Sequence, residues 1–232
     1  MATRARRPQR RSEALSRERI VAAAVELLDT AGEGGLTFRA LTERLATGAG
    51  AIYWHVANKD ELLDAATDAV VAAALAVEPT GAADPRDEIR AVALGLFDAI
   101  DEHPWLATQL ATELSRSPSG TVTPRILESI GRRVRALGVR EDSWFLAATV
   151  LVQYILGGAA QNAANARVLG PGANRDEFLG TVSKVWEELD PDEYPFIRAV
   201  AEQMRDHDDR EQFLAGIDLV LSGITTLYVP GE

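Results

Sequence analysis

The chain of 232 residues contains no cysteine, which excludes a disulfide framework, a thiolate-held metal and a cysteine nucleophile. Histidine is nearly as scarce. His55, His103 and His207 lie far apart, without the His-x-x-x-His or Glu-x-x-His spacing that gathers metal ligands on one helix face. No glycine-rich phosphate loop follows a strand pattern and no Gly-x-Ser-x-Gly elbow occurs, while acid pairs such as Glu187-Glu188 and Asp208-Asp209 read as solvated faces. Neither an enzyme nor a cofactor is expected. Apolar runs are broken by Asp, Glu, Arg or Gln before the ~20 residues a bilayer requires, and residues 1–11 are basic without an apolar signal core. A cytoplasmic protein with no membrane partner is therefore expected. Lysine is limited to Lys59 and Lys184, so arginine carries nearly all the positive charge.

What is present is 47% hydrophobic residues, enough for one large core or two modest ones, and a net charge of −11. An anion of this size repels phosphate, but the charge is unevenly spread. Residues 1–64 hold ten Lys and Arg against nine Asp and Glu, whereas residues 65–232 hold fourteen against twenty-six. The first nineteen residues alone contain seven arginines and two acids. A polar arm over residues 1–15, including Arg6 and Arg7, cannot form a core and is expected to be disordered when free. It reads either as a solvated tail or as a set of cations that displace counterions from DNA.

Apolar spacing predicts an all-α chain in two parts, residues 16–77 and residues 84–228. In the first part Ser16 is a candidate N-cap for a helix carrying Ile20, Val21, Ala24, Leu27 and Leu28, ended by Gly32, Gly34 and Gly35. Thr37 caps a second helix with Leu41 and Leu45 on one face, running to about Ala46. Thr47-Gly48 is expected to reverse the chain into a third short helix carrying Ile52 and Tyr53 to His55 or Val56. Asn58 with Glu61 makes a capping box that opens a fourth helix. Two short helices joined by a tight turn are the geometry that offers one of them to the major groove, although a plain helical hairpin has the same periodicity. Arg39, Tyr53, His55 and Lys59 are donors long enough to reach phosphate oxygens. Trp54 is expected in the core, and Tyr53 and His55 at the surface.

The run Gly35-Leu36-Thr37-Phe38-Arg39, followed by Leu41, Leu45 and Ile52-Tyr53-Trp54-His55-Val56-Ala57-Asn58-Lys59, resembles the DNA-binding domain of the TetR family of bacterial repressors, and the tetracycline-repressor branch in particular. The resemblance implies a three-helix helix-turn-helix head and a larger helical domain for effector binding and dimerisation. It also implies that Thr37 and Arg39 grip DNA backbone, that Tyr53 and His55 contact backbone and bases, and that Lys59 anchors a phosphate. Two departures matter. Ala46 stands where relatives usually place a turn glycine, so a differently shaped turn is expected. Gly48, Ala49, Gly50 and Ala51 offer almost no side-chain hydrogen bonds, so base readout should be sparse, with backbone close to the groove and Ala49 or Ala51 against thymine methyls. The arginine arm would read the narrower groove by shape.

Beyond residues 78–84, which break the helical pattern, the spacing predicts helices opened at Asp84-Pro85, Pro104, Thr123-Pro124, Glu141 and Asn174, then a short one after Pro195 and a last one over residues 209–228. By periodicity alone the apolar stripe of the last helix is intramolecular core. The resemblance instead makes Gly157, Ala160 and Ala164, with Phe213, Ile217, Val220 and Ile224, a homodimer interface suited to a palindromic operator. Phe97, Trp105, Gln109, Trp144, Gln153, Tyr154, Asn162 and Trp186 are candidate lining for a small-molecule effector site, or else core and solvated amides. The function so read is a ligand-responsive, DNA-binding repressor; the alternative is a DNA-bound dimer acting through a protein partner without sensing a ligand. Removal of residues 1–11 should flatten the dependence of log affinity on log salt for duplex DNA, since each neutralised phosphate adds about 0.9 to that slope. An unchanged slope would take the arm out of the interface.

Overall fold

The computed structural model describes residues 15–76, 84–116, 119–170, 172 and 174–230, and among these every regular element is a helix. The expected arm, with Arg6 and Arg7, and most of the expected interdomain break lie outside the described residues. The chain divides into two compact units, Met1–Ala66 and Thr67–Glu232.

In the first unit, α1 (Arg17–Gly35) begins where the Ser16 side chain accepts the Arg19 N–H at 3.3 Å. Its inner face is Ile20, Val21, Ala23, Ala24 and Leu28. The glycine cluster does not end this helix cleanly: Gly32 kinks it at φ 62°, and the helix resumes as far as Gly35. Helix α2 (Phe38–Leu45) is capped by Thr37, whose hydroxyl accepts the Ala40 N–H at 3.1 Å. Helix α3 (Ala49–Tyr53) has five residues and ends earlier than the spacing predicts, with Ile52 buried beneath it. Helix α4 (Lys59–Leu75) starts at Asn58, whose side chain accepts the Glu61 N–H at 2.8 Å. The Glu61 carboxylate in turn accepts the N–H of Ala57, one residue before the cap. Leu36, Leu41, Val56 and Leu62 complete the buried centre of this unit.

The turn between α2 and α3 differs from expectation in which residue bends. Ala46 itself takes the left-handed conformation, φ 48° and ψ 46°, while Gly48 sits at an ordinary φ of −84° as the N-cap of α3. The Ala46 amide returns to Glu43 and the Thr47 amide to Thr42, so two of the carbonyls in the last turn of α2 are satisfied by this bend.

The division between the units falls within α4, and Val70, Val71 and Ala74 near its end are buried. The second unit continues with α5 (Pro85–Glu102), α6 (Trp105–Arg116) and α7 (Val122–Ala136). After a 3-10 turn at Glu141–Ser143 come α8 (Trp144–Leu169), α9 (Arg175–Glu187) and α10 (Pro195–Val200). A second 3-10 turn, Ala201–Met204, leads into α11 (Asp209–Tyr228). The caps are chemical: Asp84 accepts the Arg86 N–H with Pro85 in the first turn, Asn174 accepts that of Glu177, and Asp208 that of Glu211.

Helix α8 is the centre of this unit, packed against α5, α6, α7 and α11. It is long and apolar enough to cross a membrane by length and composition, yet Ala147, Ala148, Leu151, Val152, Ile155, Ala159 and Ala163 form a face buried by its neighbours. Helices α8 and α11 interlock by exchanging glycine for aromatic. A Cβ on Gly158 would lie 2.9 Å from the Phe213 ring, and one on Gly216 would lie 1.7 Å from the Tyr154 hydroxyl. The Tyr154 hydroxyl donates to the Phe213 carbonyl at 3.2 Å, and burial pushes its pKa up. Between α5 and α7, buried Arg133 holds Glu88 at 3.0 Å and donates to the Ser129 carbonyl at 2.7 Å.

Ala46→Gly should raise the melting temperature by about 1–3 °C, because removing the left-handed cost of a Cβ outweighs the extra freedom of the unfolded chain. Thermal unfolding followed by circular dichroism checks it, and a lower melting point would mean that the turn is not strained.

Candidate nucleic-acid interface

The expected DNA-facing residues that the structure describes fall on one unit and mostly at its surface. Thr37 spends its hydroxyl on the α2 cap. Arg39 is 88% exposed and loosely paired one turn on with Glu43 at 3.0 Å. Gly48, Ala49 and Gly50 are exposed and Ala51 half-buried. A Cβ added to Gly48 or Gly50 would meet no atom within 4 Å, and neither has a positive φ; Gly48 is the N-cap of α3, where glycine is favoured, whereas nothing inside the fold requires glycine at Gly50. Tyr53 is 53% exposed, its ring stacked on Phe38 at 4.5 Å and 12°. That stack fixes the hydroxyl end of Tyr53 at the surface beside the N-terminus of α2.

His55 is half-buried just past the end of α3, its carbonyl accepting from Arg17 at 2.7 Å. Lys59 donates to the Glu33 carbonyl at 2.8 Å and lies 3.9 Å from the Glu33 carboxylate, with its side chain 39% exposed. Glu61 stays ionised below the ordinary carboxylate range, held first by the Ala57 N–H and then by Arg17.

Trp54 corrects the sequence reading. It was expected in the core and is 90% exposed, because α3 ends at Tyr53 and the inward position passes to Ile52 and Val56. Ile52 is buried beneath α3 and Val56 is buried just past its end, and Trp54 between them points outward. An open cleft of about 540 Å³ lies elsewhere on this unit, lined by Arg19, Ala22, Ala23, Glu26, Arg44 and Leu45, with Arg44 ion-paired to Glu26.

In the second unit the eight candidate lining residues do not form one set. Phe97 and Tyr154 converge on Phe213, with ring centroids at 4.7 and 5.9 Å, and the Arg210 guanidinium lies 5.8 Å from the Phe97 ring. Trp105 is buried beside His103, and Gln109 is half-buried on the same helix. Asn162 donates to Asp101 at 3.0 Å. Trp144 sits at the start of α8, donating to the Val139 carbonyl at 2.6 Å beneath Arg135. Gln153 is exposed and Trp186 half-buried on α9.

The α11 stripe is a second correction. Phe213, Ile217 and Ile224 are buried by the chain's own α5 and α8, with Val220 half-buried beside them, so the first three are intramolecular core and not an interface. Periodicity alone pointed there. What α11 leaves exposed is the opposite face, with Ala215, Leu219, Ser222 and Thr226. On α8, Gly157 is exposed with Ala160 and Ala164 half-buried, on a flank that also exposes Leu146, Val150, Gln153 and Gln161.

Residues 20–66 match the family model described as bacterial regulatory proteins, tetR family, and residues 78–228 match the tetracyclin repressor-like C-terminal domain. A solved TetR-type transcriptional regulator from Streptomyces coelicolor is 68% identical, with a TM-score of 0.85 over 93% of this chain and 100% of that one. An HTH-type transcriptional regulator from Saccharopolyspora erythraea is 32% identical over 154 residues, 65% of this chain, and the chain spans 64% of that relative's length. The HTH-type transcriptional repressor DrrR1 from Streptomyces coeruleorubidus is 28% identical over 228 residues, 96% of this chain and 82% of that one. With both of its halves matched in order, the chain belongs to the TetR family of bacterial transcriptional regulators.

Proposed function

We propose that this regulator is a cytoplasmic repressor that binds a palindromic operator as a homodimer and is released from it by a small-molecule effector. The observation that carries the DNA-binding half is the start of α3. Glycine inside a helix costs about 0.5–1 kcal/mol relative to alanine, and at Gly50, inside α3, neither packing nor backbone demands it. A surface that must let a duplex approach closely explains a residue that the fold does not need. Arg39, Tyr53 and Lys59 then take phosphates around it, while Thr37 orients α2. Trp54 joins them as an exposed apolar contact. A relative in fold, BioQ, 27% identical with a TM-score of 0.61, is described with its double-stranded DNA operator.

Homodimerisation would use the exposed flanks of α8 and α11, with Leu146, Val150 and Gly157 on one and Leu219 on the other. Leu219 is 75% exposed, and small neighbours at Gly157, Ala160, Ala215 and Ser222 let helices approach. Effector sensing is assigned to the second unit, which matches the tetracyclin repressor-like C-terminal domain. ActR of Streptomyces coelicolor, a protein of the same fold at 22% identity, is described in complex with actinorhodin. An effector that binds one of two conformations better shifts the population toward it, which is all that release from an operator requires.

Selection from a random duplex pool should return a palindrome, and Leu219→Glu should convert a micromolar dimer to monomer in sedimentation and weaken that duplex at least about tenfold by exposing only one head per particle. A wild-type monomer at micromolar concentration, or an empty selection, overturns the reading. Gly50→Ala should raise the stability of the first unit by about 0.5–1 kcal/mol and still weaken binding of the selected duplex. Binding that is unchanged or tighter would remove close approach from the account.

A further inference from the structure

The segment joining α3 to α4 carries His55 and follows Tyr53 directly, yet no regular helix holds it. Two side chains from other elements do. The Arg17 Nη1 donates to the His55 carbonyl at 2.7 Å and to the Glu61 Oε1 at 2.8 Å. The second Glu61 oxygen accepts the Ala57 N–H at 2.8 Å. Carbonyl 55 and amide 57 are thus gripped from both sides of Val56, whose side chain is buried.

Arginine at this place has no explanation within α1. It is the first residue of that helix, where a cation opposes the helix dipole. Nor does the pair act through strength alone. The side chains are 46% and 38% exposed, and ion pairs this wet add little to folding. What they add is geometric: a charge-assisted bracket spanning α1, the exit of α3 and the first turn of α4.

We propose that Arg17 and Glu61 are positioning residues for the nucleic-acid interface, fixing the exit of α3 and with it Tyr53 and His55, without themselves touching the duplex. The inference rests on the DNA-binding reading above. It opposes simple electrostatics, because Glu61 is an acid beside a surface that meets phosphates. Removing it should tighten binding by Coulomb's law, whereas loss of the bracket should weaken it.

The experiment uses the full-length protein and the duplex selected by the wild type, with Arg17→Met, Arg17→Lys, Glu61→Ala and the Arg17→Met/Glu61→Ala double variant. Arg17→Met and Glu61→Ala should each lose about fivefold to tenfold in affinity, the order expected when charge-assisted hydrogen bonds no longer preorganise a site. The double variant should lose no more than the worse single, since the two act as one device. Arg17→Lys should recover part of the loss. The slope of log affinity against log salt should stay at the wild-type value, whereas Arg39→Ala, which removes a phosphate contact, should lower it by about one. Melting temperatures should stay within about 2 °C of wild type, given the exposure of the pair.

Tighter binding by Glu61→Ala, a salt slope reduced by Arg17→Met, or additive losses in the double variant would each overturn the proposal. If Glu61→Ala does not fold, Glu61→Gln replaces it with the same expected sign. A wild type that retains no duplex defeats the DNA-binding reading instead. Amide exchange at Ala57 then tests the bracket separately: it should accelerate in Arg17→Met and Glu61→Ala, and unchanged exchange would overturn it.

Discussion

A helix of five residues is too short to stabilise itself, because the nucleation cost of its first turn is not recovered by later ones. The candidate nucleic-acid interface therefore depends on how α3 is held from outside. Ile52 anchors its inner side, the left-handed Ala46 sets the angle at which the chain enters, and Arg17 with Glu61 holds the place where it leaves. The outer side is then free to consist of glycine and alanine, residues that contribute nothing to holding it. A short helix, externally braced, separates the surface that meets a ligand from the contacts that keep it in place.

The second unit solves a different problem. Helix α8 is apolar around much of its circumference and is covered on one side by α5, α7 and α11. The glycines at 158 and 216 let the backbones of α8 and α11 come close, and the aromatic of each helix fills the space left by the glycine of the other. Polar side chains fix the register of α11 on α5: Arg90 with Asp218 at 2.7 Å, Arg210 with Asp98, and Arg86 with Thr225 at 2.7 Å. The apolar contacts supply the attraction, and these partly exposed pairs select one alignment along the helix axis.

Local chemistry was legible in the sequence. Ser16, Thr37, Asn58, Asp84 and Asn174 each cap the helix assigned to them, because a cap depends on an oxygen and an amide two or three residues away. The family signature around Tyr53 to Lys59 was equally plain. What failed depended on distant or conformational facts. An alanine at φ 48° has no compositional signal, so the bend was placed at Gly48. The exposure of Trp54 follows from where α3 stops, which a five-residue helix does not announce. The stripe on α11 was visible, but whether its partner is the same chain or a copy is decided by Phe97, more than a hundred residues away. The Arg17–Glu61 pair, 44 positions apart, is invisible for the same reason.

The lateness of α11 in the chain also governs how the second unit is made. Its contact with α5 joins positions 128 apart, and Phe213 is what covers Gly158. During synthesis α5, α7 and α8 leave the ribosome first, with Phe97 and the part of α8 that packs on α11 still uncovered. Closure of that half must wait for α11, and a chain that stops short of it leaves apolar surface open to water.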